Sequence, residues 1–180
     1  MRVENVFEVP ESREAVWNLL SDIPRVIPCL PGATLTESGS DEEWRAEFPV
    51  TLGPVAMVFD ATITREAADE PAGVVRLAVK ARERNGRGAA TADVESRLEA
   101  EGAATRVTVF TDLRLQGTVA RVGRSEIVED VSRQMTDSFA SCLKAKLLAQ
   151  DDSAATAAPE LRIRLRTVLA GLMRQLRRTR

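Results

Sequence analysis

WRAEFPVTLGPVAMVFDATI, residues 44–63, alternates side chains of opposite character. Trp44, Ala46, Phe48, Val50 and Leu52 interleave with Arg45, Glu47, Pro49 and Thr51. After Gly53-Pro54, the row Val55, Met57, Phe59, Ala61 and Ile63 repeats the pattern. A period of two over runs this long predicts strands with one buried and one wet face. Further along, Val75, Leu77 and Val79 form a third row. Ala92, Val94, Ser96 and Leu98 form a fourth, and Val107, Val109, Thr111 and Leu113 a fifth. Breakers separate the rows at Gly39, Glu70–Gly73, Asn85-Gly86 and Gly102, and Asn-Gly between extended runs marks a hairpin. The stretch from Ala33 to about Leu115 therefore predicts a meander of long antiparallel strands with one solvated face.

Toward the N-terminus, Val3, Phe7 and Val9 mark a further strand over residues 2–9, ended by Pro10. Ser12 is placed to cap a helix whose stripe is Ala15, Val16, Leu19 and Leu20, with Trp17 beside it. Asp22-Ile23-Pro24 starts a second short helical turn, since Pro suits the first turn. Pro28-Cys29-Leu30-Pro31-Gly32 predicts irregular chain. Residues 121–149 switch to the helical period. Ile127, Val128, Val131, Met135, Cys142 and Ala149 share a stripe with Phe139 at its edge, opposite Arg124, Glu129, Arg133 and Lys144. A helix of this length, about 40 Å, is the one element large enough to cover the meander. The expected fold class is α+β: a START-like helix-grip, in which a curved antiparallel sheet wraps around a long C-terminal helix. A strongly bent sheet closes incompletely on such a helix, so an apolar cavity is expected between them. Trp17, Phe48, Val50, Met57, Phe59, Leu77, Val109, Val131, Met135 and Phe139 are the expected ligand-binding walls. The Pro28–Gly32 and Gly53–Met57 loops are the expected mouth.

The chain has 180 residues, 44% apolar and 29% charged, with no His and no Tyr. The length predicts one domain with a short appendage. The lack of His removes His-based triads, His acid–base catalysis and His-containing metal sites. Cys29 and Cys142 form neither a disulfide framework nor a zinc spacing. Cys29 is expected to pack beneath its loop and Cys142 in the core. The paired carboxylates Glu42-Glu43, Asp69-Glu70 and Glu129-Asp130 fall in turns or on wet faces, and Asp60 and Asp112 are out of phase with the apolar rows. Thr111 and Ser96 are the notable polar side chains within those rows. A cavity so poor in titratable groups is equipped to hold a ligand rather than to transform it. Met1-Arg2-Val3-Glu4 argues against a signal peptide. No apolar run reaches 18 residues, so no membrane span is expected.

The net charge of −2 conceals a division: residues 160–180 carry seven Arg and Glu160, net +6, and residues 1–159 are net −8. The expected organisation is a ligand-binding domain over 1–149, a linker over 150–159 and a basic amphipathic tail over 160–180. On a helical wheel Leu161, Leu165, Val168, Leu169, Leu172, Met173 and Leu176 fall within about 140°; Arg164, Arg166, Arg174, Arg177 and Arg178 lie on the rest of the circumference with Gln175, Thr167 and Gly171, and Ile163 is the exception, off the apolar face. That is the pattern of an interfacial helix on anionic lipid. The expected membrane-binding set is Leu161, Arg162, Leu165, Arg166, Leu169, Leu172, Arg174, Leu176 and Arg177. Engagement of half the seven Arg is worth on the order of 3–4 kcal/mol. Docking on a partner protein or on the acidic body is the alternative reading. Nucleic acid is disfavoured, because an acidic body repels phosphate.

Several short motifs carry a resemblance. They are Val16-Trp17-x-x-Leu20-x-Asp22, Cys29-Leu30-Pro31-Gly32-Ala33, Leu52-Gly53-Pro54 with Phe59 downstream, Gly86-x-Gly88-x-Ala90-x-Ala92, Thr105-x-Val107 and Ala120-x-x-Gly123. In order and spacing, over about residues 3–145, the chain resembles the carbon monoxide dehydrogenase G-subunit family of the START-like superfamily. It departs from the family at Asp60-Ala61, where a Gly usually follows the Phe of the fourth strand. The resemblance implies a non-enzymatic accessory protein of a molybdenum-containing CO dehydrogenase or related hydroxylase. It implies recruitment of that enzyme to the inner face of the cell membrane and a quinone, such as menaquinone, in the apolar cavity. No covalent cofactor and no metal are implied. A START-like cyclase or dehydratase is the rival expectation and needs an inward acid or base. An assembly factor with a filled core is the third.

Overall fold

Both sequence periods are realised in the computed structural model, which describes residues 1–40, 42–52, 55–123 and 126–149. The period-two rows form seven strands: β1 (Arg2–Val9), β2 (Thr34–Ser40), β3 (Glu43–Leu52), β4 (Val55–Asp69), β5 (Val74–Glu83), β6 (Gly88–Glu101) and β7 (Ala104–Gly117). They make one antiparallel sheet in the order β1-β7-β6-β5-β4-β3-β2. Strands β2 to β7 are thus a meander, and β1 closes its far side by pairing with β7 from Arg2↔Asp112 to Val9↔Thr105. Register shifts interrupt the β2–β3 ladder and, between Arg65 and Ala67, the β4–β5 ladder. Bulges of this kind bend and twist strands, which curves the sheet. Pro49 is tolerated inside β3 because β2 pairs with β3 only as far as Glu47. Beyond that point β3 is an edge, where a missing N–H is not needed.

Between β1 and β2 lie α1 (Arg13–Leu20), α2 (Ile23–Val26) and a 3-10 turn at Ile27–Cys29. Ser12 Oγ accepts from the Ala15 N–H at 3.2 Å, the cap expected from the sequence. The Asp22 carboxylate does the same for α2 through the Arg25 N–H at 3.3 Å. Val16, Trp17, Leu19, Leu20, Ile23 and Val26 are buried. Arg13 stitches α1 to the β4–β5 turn and to β6, donating to the carbonyls of Glu70, Pro71 and Leu98. Thr105, fully buried, ties β7 to the β1–α1 corner through the Glu11 carbonyl at 2.8 Å.

Two local expectations are corrected. Pro28 and Cys29, expected to be irregular, belong to the 3-10 turn Ile27–Cys29, because a single tight turn accepts Pro28 in its first positions. The helix expected to be continuous over 121–149 is preceded by a separate short helix, α3 (Thr118–Val122), which follows Gly117 and is capped by Gly123. The long helix, α4, is helical over 126–149. The chain divides into two compact units, Met1–Lys144 and Ala145–Arg180, and the description below concerns the first. In the second, Leu147 is buried and Ala149, expected on the apolar stripe, is exposed. The tail and linker expectations for 150–180 lie outside the described residues.

One backbone approach at the β6–β7 end has no slack. Gly88 has φ +151°, and a Cβ there would sit 2.2 Å from the Gln116 carbonyl oxygen. Gly86, in the β5–β6 turn, has φ +74° but no atom within 4 Å of its Cβ position. Gly88→Ala should therefore lower stability by about 2–3 kcal/mol, from backbone strain plus the clash. Gly86→Ala should cost about 1 kcal/mol, from strain alone. Urea midpoints of the two variants check the order.

Candidate functional site

The inward rows of the central strands are short. Ala81 of β5 faces Ala90 of β6, and Val79 faces Ala92. Such side chains do not span the gap to a helix, so the concave face stays partly empty. A cavity of about 430 Å³ lies between the sheet, α1–α2 and α4, within the roughly 300–1,000 Å³ of small-molecule sites. Leu77, Val79, Ala92, Val94, Val109 and Leu113 are only half-buried although they are in phase with the apolar rows. They face this hollow.

Eight of the ten side chains expected as walls line the cavity: Phe48, Val50, Phe59, Leu77, Val109, Val131, Met135 and Phe139. Two do not. Met57, 2% exposed, packs with Phe59 and Val119 in a solid cluster at one end, because α3 covers it. Trp17 is buried on α1 one turn before Leu20, and Leu20, at the C-terminal end of that helix, is the α1 residue that reaches the cavity. Ile23, Val26 and Ile27, and Leu30 of the Pro-rich segment, also line the cavity. The second expected mouth, at Gly53, lies partly outside the described residues. Phe7 of β1 meets Phe139 of α4 edge to face at 6.3 Å between centroids. This places the middle of α4 across the end strand.

No Asp, Glu, Lys or Arg lines the cavity among the described residues. The polar lining consists of Asn5, Ser96, Thr111, Ser132 and Thr136. The charges lie on the opposite face in ion pairs, such as Arg84 with Glu47 and Asp60, and Glu95 with Arg76 and Arg97. One acid departs from this division. Glu83 faces Phe59 across the β4–β5 ladder and so shares the concave phase, and its side chain is fully buried. It does not open into the cavity. It folds into the β5–β6 turn and accepts from the Asn85 N–H and Arg87 N–H, both at 2.9 Å, from the Arg87 guanidinium at 2.8 Å and from the Asn85 amide at 3.2 Å. Those bonds, the Arg87 guanidinium first, hold its pKa down at about 2 against an ordinary 4.5. A carboxylate so occupied, ionised throughout the physiological range, braces a turn and is not poised for proton transfer.

The sequence reading is corrected at the cysteines. Cys29 and Cys142 are joined in a disulfide across 113 residues. Each was expected to pack separately, because a separation that long carries no pairing signal. The fold brings the 3-10 turn and α4 together and sets their Cα atoms 5.3 Å apart. The bond clamps α4, three residues past Phe139, to the segment that carries the cavity-lining Ile27 and Leu30. The polar members Asn5, Ser132 and Thr136 were also missed. Each stands in phase with an apolar row: Asn5 with Val3 and Phe7, the other two with Val128 and Phe139. That interruption was the available signal.

A curved antiparallel sheet gripping a long helix around an apolar hollow defines a START-like helix-grip protein. Solved structures agree on the fold. A conserved protein from Geobacillus kaustophilus superposes with a TM-score of 0.72 at 20% identity, covering 83% of this chain and 96% of that one. A START superfamily protein from Mycobacterium smegmatis gives 0.56 at 16%, covering 83% and 98%. The Zhui aromatase/cyclase from Streptomyces sp. R1128 gives 0.57 at 14%, covering 82% and 93%. No curated protein matches the sequence. Residues 6–148 match the carbon monoxide dehydrogenase G-subunit family (CoxG), and the chain belongs to that family.

Two outcomes test the site's framework. Glu83 has a depressed pKa, so its contribution to stability is complete above pH 4.5 and declines as pH falls toward 2. Glu83→Gln should lower the melting temperature at pH 7 and narrow the difference between melting at pH 7 and at pH 3, as read by circular dichroism. Replacing Cys29 and Cys142 together with Ser should cost about 2–5 kcal/mol in urea unfolding, and the loss should match that caused by reductant on the unaltered chain.

Proposed function

We propose that the protein is a non-enzymatic accessory component of a molybdenum CO dehydrogenase-type enzyme. Its cavity binds an apolar ligand of the quinone class, such as a menaquinone, and its basic tail brings the dehydrogenase to the membrane surface. The observation that carries this reading is the cavity itself: about 430 Å³ walled by hydrocarbon, with no ionisable side chain among the described residues. A hollow of about 430 Å³ is within the size range of small-molecule sites. That suits a compact ring head with the start of its hydrocarbon chain. Met135 and Phe139 offer polarisable and flat surfaces to such a ring, and Phe48 and Phe59 offer apolar surface to its chain. The same lining disfavours a cyclase or dehydratase, which needs an acid or base within reach of the substrate.

Membership of the CoxG family supports the dehydrogenase partner, and the Arg-rich wheel of residues 161–177 supports the lipid surface. Among the described residues no helix is long and apolar enough to cross a membrane, which accords with peripheral attachment. The inner face is the proposed side. The Cys29–Cys142 disulfide is the observation that weighs against that side, because thiol buffers there keep such pairs reduced, and rapid alkylation of cell extracts reads the state of the pair. A fully oxidised pair would place the protein on the other side.

Organic extraction and native mass spectrometry of the purified full chain should reveal an isoprenoid quinone, or uptake of added menaquinone. Ala92→Phe, which fills the hollow from β6, should reduce that uptake at least tenfold and leave sedimentation with anionic vesicles intact. Removal of residues 160–180 should do the reverse. Uptake unaffected by Ala92→Phe would sink the carrier reading, and equal pelleting of the full and shortened chains would sink the recruiting one.

A further inference from the structure

The cavity is polar on one side only. Asn5 of β1 faces Val109 of β7, and Val109 faces Ser96 of β6, so Asn5 and Ser96 flank one cross-strand row. Thr111 stands two residues along β7 on the same face. Thr111 is therefore a diagonal neighbour of both Asn5 and Ser96, about 7–8 Å from each, and Val109 lies between those two, so the three share one region of the face. Ser132 and Thr136 are one turn apart on α4, hence on one side of that helix. The Asn5 amide donates to Ser132 Oγ at 2.8 Å and joins the two halves. On the other side of the hollow, β3 and β4 contribute only hydrocarbon: Phe48, Val50, Phe59, Ala61 and Ile63.

The patch is underused by the protein. Its polar atoms open into the hollow rather than being sealed in protein, so a ligand or water can reach them. Among the described residues the hydroxyls of Ser96, Thr111 and Thr136 and the carbonyl oxygen of Asn5 have no protein partner. All four residues are half-buried and line the cavity. Four hydroxyls and the second amide N–H supply donors, whereas no cation is present to compensate a buried anion.

We propose that Asn5, Ser96, Thr111, Ser132 and Thr136 form a socket for the uncharged head of an amphipathic ligand. The head carries carbonyl or hydroxyl oxygens on a compact ring, and its hydrocarbon chain lies toward β3 and β4. The inference rests on the ligand-cavity reading above and adds the orientation of the ligand and the chemistry of its head. It excludes fatty acids and phospholipids as the preferred occupants, because their anionic heads find no counter-charge there.

The test uses the delipidated full chain and three probes followed by calorimetric titration: a naphthoquinone with one isoprenyl unit, naphthalene with the same side chain, and palmitate. The expected result is a preference of about tenfold or more for the quinone over its hydrocarbon counterpart, the worth of one or two good hydrogen bonds. Weaker binding of palmitate is also expected. In Thr111→Val with Ser96→Ala, which breaks no existing hydrogen bond, the quinone-to-hydrocarbon ratio should fall to about twofold with an unchanged urea midpoint. Asn5→Val should lower the ratio further, and where that variant fails to fold the Thr111/Ser96 pair decides. Equal affinity of the unaltered chain for quinone and hydrocarbon, or a preference that survives in the pair variant, overturns the socket but leaves the cavity reading standing. Preferred binding of palmitate overturns the neutral head. Failure of both ring probes to bind removes the cavity reading along with the socket.

Discussion

The hollow exists because the inward side chains of the middle strands are too short to meet the helix opposite them. Ala81 against Ala90, and Val79 against Ala92, leave the concave face unfilled while the ladders around them stay complete. Proteins normally pack their interiors to crystal-like density, and an empty apolar space forfeits the contacts its walls would make. The fold tolerates that loss because it is supported at the rims. Met57, Phe59 and Val119 pack solidly at one end, Phe7 meets Phe139 on the β1 side, and the Cys29–Cys142 bond fastens α4 to the segment that carries Ile27 and Leu30.

The same alternation that empties one face charges the other. Arg and Glu side chains pair across strands on the outer surface, where solvent screens them and each pair contributes little on its own. Their larger effect is exclusion. With charges committed to the wet phase, the interior receives almost nothing that titrates, and Glu83, in the interior phase, is consumed by its own turn. The cavity can therefore take up a neutral apolar molecule without having to neutralise a charge. Its few hydroxyls and one amide, grouped on the β1 side, give a bound molecule a direction.

Much of this was legible from residues 44–113, because a period of two fixes which side chains share a face whatever the sheet curvature. Thr111 and Ser96 were visible as interruptions of apolar rows. Asn5 was less visible, since β1 is short and its row holds few members. The helices were harder at their ends. Gly123 ends α3 inside the expected helix, because its non-helical backbone (φ −81°, ψ 61°) is a property that hydrophobic periodicity does not register. Met57 and Trp17 carried the right chemistry for a wall but the wrong depth. Whether an inward side chain meets a ligand or a neighbouring helix depends on what covers it.

Short-range order along the chain was enough for the strand phase, the meander, the covering helix and the family, since each is written in neighbouring residues. The pairing of Cys29 with Cys142, the turn-bracing role of Glu83 and the meeting of Asn5 with Ser132 emerged only in three dimensions. Those contacts depend on sheet curvature, helix docking and turn geometry, and such placement leaves no trace in local periodicity.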